Sequence, residues 1–256
     1  MNRLKTFQQF VNEALDDHSI ERALDIFPTI NEQLFSLLKQ VQTQADHMMD
    51  RNNYWYNRES RNFNEDHYAI NVKTYSYPDV DEWREAIGDE DASEEQMWDH
   101  WSEYLRLEIE DFEENVFLEE FGDTFEKILM GGRSGGWMCI VPDKSPDVII
   151  EDLETYVDSY IDTLSDLDQN DIEELESLLS LSDEEKARTI EFGLVKEPAI
   201  YEQLMSDYHS AYREAEEALS ALNRHEAACK FVQEKHDEFE KDAEVNFLEN
   251  EKQNYV

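Results

Sequence analysis

Basic residues are scarce in this chain: 22 Lys and Arg stand against 63 Asp and Glu, a formal net charge of −41 at pH 7. That shortage argues against direct nucleic-acid binding and against adhesion to anionic membranes, because phosphate contacts need clusters of Lys and Arg. Long apolar runs are also missing. No stretch approaches the roughly 20 apolar residues of a membrane span, and no apolar run of signal-peptide length follows Arg3 and Lys5. The chain therefore reads as soluble and cytoplasmic, with no membrane partner. Cysteine is limited to Cys139 and Cys229, far apart and in apolar surroundings, which predicts two reduced core thiols instead of a disulfide framework. Aromatic residues, by contrast, are plentiful at 12 %, and 40 % of the chain is hydrophobic. Acidic chains that stay disordered lack both, so a folded protein with a strongly charged exterior is expected, and 256 residues can bury a real core.

The acids are not spread evenly. Asp79 to Glu126 holds 20 acids and 2 bases, a net −18, and Asp143 to Glu191 holds 17 and 3, a net −14; together the two blocks carry 32 of the 41 net charges. Folding such blocks brings like charges closer than in the open chain and costs stability. The first 60 residues hold only 9 acids and 6 bases and read as scaffold.

Apolar periodicity predicts a predominantly helical α+β fold. Phe7, Phe10, Val11, Ala14 and Leu15, then Ile30, Leu34, Leu37, Leu38, Val41 and Ala45, describe a helical hairpin turning near Pro28 within residues 1–52. Residues 53–142 form a second, aromatic and acidic stretch. In it, alternation through Tyr68, Ile70, Val72, Thr74 and Ser76 predicts a strand ended by Pro78. A long helix from Ser93 as N-cap to Gly122 as C-cap follows. Four of the chain's seven glycines, Gly131, Gly132, Gly135 and Gly136, lie between two apolar runs and predict a hairpin that joins the earlier strand in a small antiparallel sheet. Residues 143–256 begin with an acidic helix whose apolar stripe is Ile149, Leu153, Tyr156, Tyr160, Leu164 and Leu167. A helix over Asp171 to Leu181 and one capped by Ser182 and Glu185 come next. A heptad-like series then runs through Leu204, Tyr208, Ala211, Ala215, Ala218, Leu222, His225, Cys229, Val232, His236, Phe239 and Ala243, predicting a long coiled-coil-like helix. It either folds back on its own chain or pairs with a second copy as a homodimer.

Few residues suggest chemistry. His225 and Cys229, four apart, share the heptad seam and read as structural. Asp166, Asp168 and Asn170 begin like a calcium loop, but Asp171 stands where glycine is required and Ser177 where glutamate is. The glycine-rich segment matches neither a P-loop nor a dinucleotide fingerprint. No nucleophile–base arrangement stands out, so the expectation is a non-enzyme without metal or cofactor.

What remains is the charge itself. Glu154, Asp158, Asp162 and Asp166 are four carboxylates at steps of four, about 6 Å apart along a helix, similar to phosphates along one nucleic-acid strand. In duplex DNA one charge falls every ~1.7 Å, so 41 charges correspond to roughly 70 Å of duplex. The first block adds Glu94, Glu95, Asp99, Glu103, Glu110, Glu113 and Glu114, and Arg133 is an isolated cation between the blocks. Adaptation to high salt would leave the chain short of lysine, yet it has 11 Lys beside 11 Arg.

In these blocks and carboxylate rows, over about Asp79 to Glu191, the chain resembles the acidic DNA-mimic proteins that bacteriophages use against restriction enzymes and CRISPR effectors. Gly132-Arg133-Ser134-Gly135-Gly136-Trp137 also looks like a stretch met in uncharacterised phage proteins. The resemblance implies an anti-restriction or anti-CRISPR type of inhibitor in the host cytoplasm, which occupies the basic nucleic-acid site of a defence protein or complex. Exposed aromatics such as Trp83 or Trp98 would anchor it. Two other classes fit the sequence: a helical adaptor that binds through the C-terminal heptads, and an acidic chaperone for basic proteins.

Overall fold

The computed structural model of the chain describes residue 25 and residues 27–51, 55–57, 67–75, 77–131 and 136–254. Its elements, in order, are α1 (Pro28–Arg51), β1 (Trp55–Asn57), β2 (His67–Tyr75), α2 (Val80–Ile87), α3 (Glu94–Phe112), a π-helical turn (Glu113–Phe117), α4 (Leu118–Phe121), β3 (Phe125–Gly131), β4 (Gly136–Pro142), α5 (Pro146–Ser165), α6 (Gln169–Leu179), α7 (Asp183–Glu191) and α8 (Pro198–Asn254). The predominantly helical α+β architecture is thus the one the periodicities predict. None of the described helices is long and apolar enough to cross a membrane.

Two compact units form, each from two separate segments. The first joins the segment ending at Asp46 to Pro146–Ser220, and the second joins His47–Ser145 to Ala221–Val256. α8 contributes its first part to one unit and its last part to the other.

In the first unit, α1 buries Leu34, Leu37, Leu38, Val41 and Ala45. The other arm of the expected hairpin, at Phe7 to Leu15, lies outside the described residues. Asn31 is fully buried and accepts a hydrogen bond from the Tyr160 hydroxyl of α5, which satisfies two polar groups that burial would otherwise penalise. α5 buries Ile149, Leu153, Val157, Tyr160, Ile161 and Leu164. Tyr156, expected in that stripe, is 37 % exposed and Val157 takes the inward place. α6 starts at Gln169 under an Asp168 capping box, and α7 carries the predicted Ser182–Glu185 box. The α8 seam positions Leu204, Tyr208, Ala211, Ala215 and Ala218 are all buried, and the Tyr160 and Tyr208 rings meet edge-on at 5.7 Å.

The second unit is built on an antiparallel sheet of order β1-β2-β4-β3. The predicted strand pairs with the hairpin as expected, Ile70 opposite Ile140 and Ile128 opposite Ile140. Side chains alternate across the sheet. Ile70, Ile128, Met138 and Ile140 face the main core, and Ala69, Cys139 and Val141 face the other side. The predicted helix from Ser93 has its capping box with Gln96, but it widens into the π turn at Glu113–Phe117 before reaching Phe121. Phe117, Phe121 and Phe125 then pack at 5.5–6.3 Å. Gly122 closes the helix without a left-handed turn. Its need for glycine is steric, since a Cβ would sit 2.5 Å from the Leu118 carbonyl oxygen. From α8, Leu222, His225, Val232, His236, Ala243 and Phe247 are buried in this unit; the side chain of Phe239 lies outside the described residues. Both cysteines are free thiols, Cys139 in the core as expected and Cys229 only half-buried, and desolvation pushes each thiol pKa up to about 12.

Candidate functional site

From Pro146 to Leu179 the chain has 12 Asp and Glu and not one Lys, Arg or His. α5 can fold despite this because its inward face is strongly apolar. Six buried side chains, at about 1.5–3 kcal/mol each before entropy, outweigh like-charge pairs that cost ~0.2–0.5 kcal/mol apiece. Asp158 and Asp162 on α5, and Asp166 in the turn just after its last residue, are exposed, whereas Glu154 is half-buried and engaged in an interaction of its own. Helical geometry explains the difference. Each four-residue step advances about 40° around the axis, so the row winds from the flank of the buried stripe at Glu154 onto the outer face at Asp162. It is not straight along the back of the helix, as the simple spacing suggests.

Partial burial, and after it the Asp162 charge, raise the Asp158 carboxyl above its ordinary value. Asp147 is raised in the same way, by burial and then by Glu151. The row also runs toward the helix C-terminus, where the macrodipole is negative, and no base stands in the last turn. The stretch therefore holds a dense run of carboxylates with no basic residue of its own, at a local cost in stability. Exposed Glu151, Asp152, Glu173 and Glu176 belong to the same stretch. The missing bases are the sequence signal by which these additional residues can be found.

The acids of the first block differ. Glu94, Glu95, Asp99 and Glu114 are exposed. Glu103 and Glu110 are exposed as well, but Arg106 lies between them, with its guanidinium 2.6 Å from Glu103 and 2.5 Å from Glu110. The Arg106 hydrogen bond holds the Glu103 carboxyl below its usual value, and both carboxylates push the Arg106 pKa up. These two acids are partly neutralised. Glu113 turns inward, half-buried, and accepts a hydrogen bond from the backbone N–H of Ile128 in β3. Burial is the main cause that raises its pKa. Its role is to tie the π turn to the sheet, and it is not on the outer face. Arg133 lies outside the described residues.

The two proposed aromatic anchors separate. Trp83 is 1 % exposed and its indole N–H donates to Glu251 at 3.0 Å, so it belongs to the interior. The same Glu251 oxygen lies 2.8 Å from His100 Nδ1. Trp98 is half-buried beside Tyr77, with ring centroids 5.7 Å apart. His225 is buried against Phe125, and burial lowers its pKa to about 4, so it is neutral. Among the described residues no three His, Cys, Asp or Glu converge on a metal position.

No family model, no curated protein and no solved structure matches this chain.

Proposed function

We propose that this protein is a nucleic-acid mimic. The exposed carboxylates of α5 and α6 stand in for backbone phosphates and occupy the basic nucleic-acid-binding site of a partner protein, of the defence-enzyme type that the resemblance implies. The observation that supports this most is the 34-residue stretch Pro146–Leu179, with 12 acids and no base, folded so that Asp158, Asp162 and Asp166 face outward. A merely solvated acidic face ordinarily mixes in Lys or Arg at i±4, as Arg106 does on α3; here no such relief exists on α5 or α6. Such a surface steers a basic partner and binds it with strong salt dependence.

The adaptor reading draws less support, because most of its described seam positions on α8 are buried within the single chain. The test is to bind purified basic nucleic-acid enzymes, retained from source-cell lysate, to wild type and to the variant Asp158→Asn/Asp162→Asn/Asp166→Asn. A nucleic-acid duplex serves as competitor. Mutually exclusive binding of duplex and protein, weakened in the variant, is the expected result. Simultaneous binding of both, or equal affinity of the variant, would refute mimicry by this face.

A further inference from the structure

The second unit contains an open cleft of about 620 Å³ where the segment before α2, the first turns of α3 and the C-terminal part of α8 meet. Its walls are the tilted ring pair Tyr77 and Trp98, its floor includes the buried Met97, and its rim carries Asp79, Glu94 and Glu244. None of its lining residues is basic. Among the described residues, no Lys or Arg forms an ion pair with any of the three carboxylates.

Two of the three carboxylates are held in place by the fold. Asp79 Oδ1 accepts from the N–H groups of Asp81 and Glu82 as the cap of α2, and the Asp79 N–H donates to Glu244 Oε1 at 3.3 Å. Aromatic faces attract a cation through the ring quadrupole. Carboxylates set at the edge of such faces favour a ligand that is flat and apolar on its faces but charged and donor-rich at its rim. Guanidinium has that form, since it stacks on an aromatic ring and still donates in its own plane.

We propose that this cleft receives an arginine side chain of a protein partner, stacked against Trp98 and paired with the rim carboxylates. That the arginine belongs to a basic protein rests on the function proposed above; recognition of the guanidinium by the cleft does not.

The test is titration of the whole chain with N-acetyl-arginine methylamide, and with the neutral citrulline analogue, at physiological salt. The indole N–H signal of Trp98 is followed by NMR and identified by its loss in Trp98→Phe. A saturable shift is expected for the arginine compound, with binding about tenfold weaker for citrulline. Asp79→Asn/Glu94→Gln/Glu244→Gln keeps the cap and the Asp79–Glu244 hydrogen bond while removing the charge, and it should also weaken arginine binding about tenfold. Equal response to arginine and citrulline, or a shift at the other tryptophans but not at Trp98, would each overturn the proposal. The α5 triple variant serves as control. It should bind the arginine compound as wild type does, so a cleft that fails here leaves the α5 face untouched, and loss of partner capture in that variant leaves the cleft untouched.

Discussion

Neutralising the α5 row should make the protein more stable while making it a weaker partner. Replacing Asp158, Asp162 and Asp166 by Asn removes three like-charge i,i+4 relations, 154–158, 158–162 and 162–166, at ~0.2–0.5 kcal/mol each. Removing Asp162 from the negative end of the helix adds about 0.3 kcal/mol. The expected gain is about 1–2 kcal/mol, which for a chain of this size raises Tm by roughly 2–8 °C. The assay is thermal unfolding at low ionic strength and again near 1 M salt, where a screening length of ~3 Å removes most of the difference.

Acidification provides a second check. Burial and the neighbouring Asp162 hold the folded Asp158 carboxyl above its ordinary value. Its ionised form therefore burdens the folded state above that pKa, and the burden lifts as pH falls into the carboxylate range. The gap between wild type and variant should narrow there. Binding to a basic partner should weaken in parallel, by about three- to a hundredfold for three exposed charges at ~0.2–1 kcal/mol each. A variant with lower or unchanged Tm at low salt would show that the row is not strained, and undiminished binding would show that it is not used.

Three further outcomes follow from single positions. Glu113→Ala, which strands the Ile128 N–H, should cost about 1–3 kcal/mol in urea unfolding, whereas Glu113→Gln retains an acceptor and should recover most of it; equal losses would mean that the hydrogen bond is incidental. Glu251→Leu leaves the buried Trp83 indole N–H without its acceptor and should destabilise by a similar ~1–3 kcal/mol, with Glu251→Gln milder, as read from the same denaturant curves. Because burial pulls His225 from its usual ~6.5 down to about 4, the unfolded chain takes up that proton first. Stability from this group is therefore full above pH ~6.5 and lost toward pH 4 at up to ~1.4 kcal/mol per pH unit; a pH series on His225→Gln should show that part of the slope gone, and an unchanged slope would assign it to other groups.

Much of this protein follows from features local in the chain. Ser93 with Gln96 and Ser182 with Glu185 mark helix starts because a capping box is complete within four residues. The alternation through Ile70 and Val72, and most described seam positions from Leu204 to Ala243, state which side chains turn inward, with Ala228 in place of Cys229, since the period of a strand or helix is itself a local property. The two acidic blocks, and the absence of any base from Pro146 to Leu179, are likewise properties of sequence alone. Tertiary structure decided what each side chain meets. Trp83 reads as an exposed anchor until Glu251, 168 residues later, accepts its N–H. Glu113 reads as one more surface acid until β3 presents the Ile128 N–H to it. The Asp79–Glu94–Glu244 cleft exists only because α8 returns beside the start of α2. Charge and periodicity are written residue by residue, whereas burial and pairing arise between segments far apart in the chain, where packing selects which of many carboxylates and aromatics face solvent.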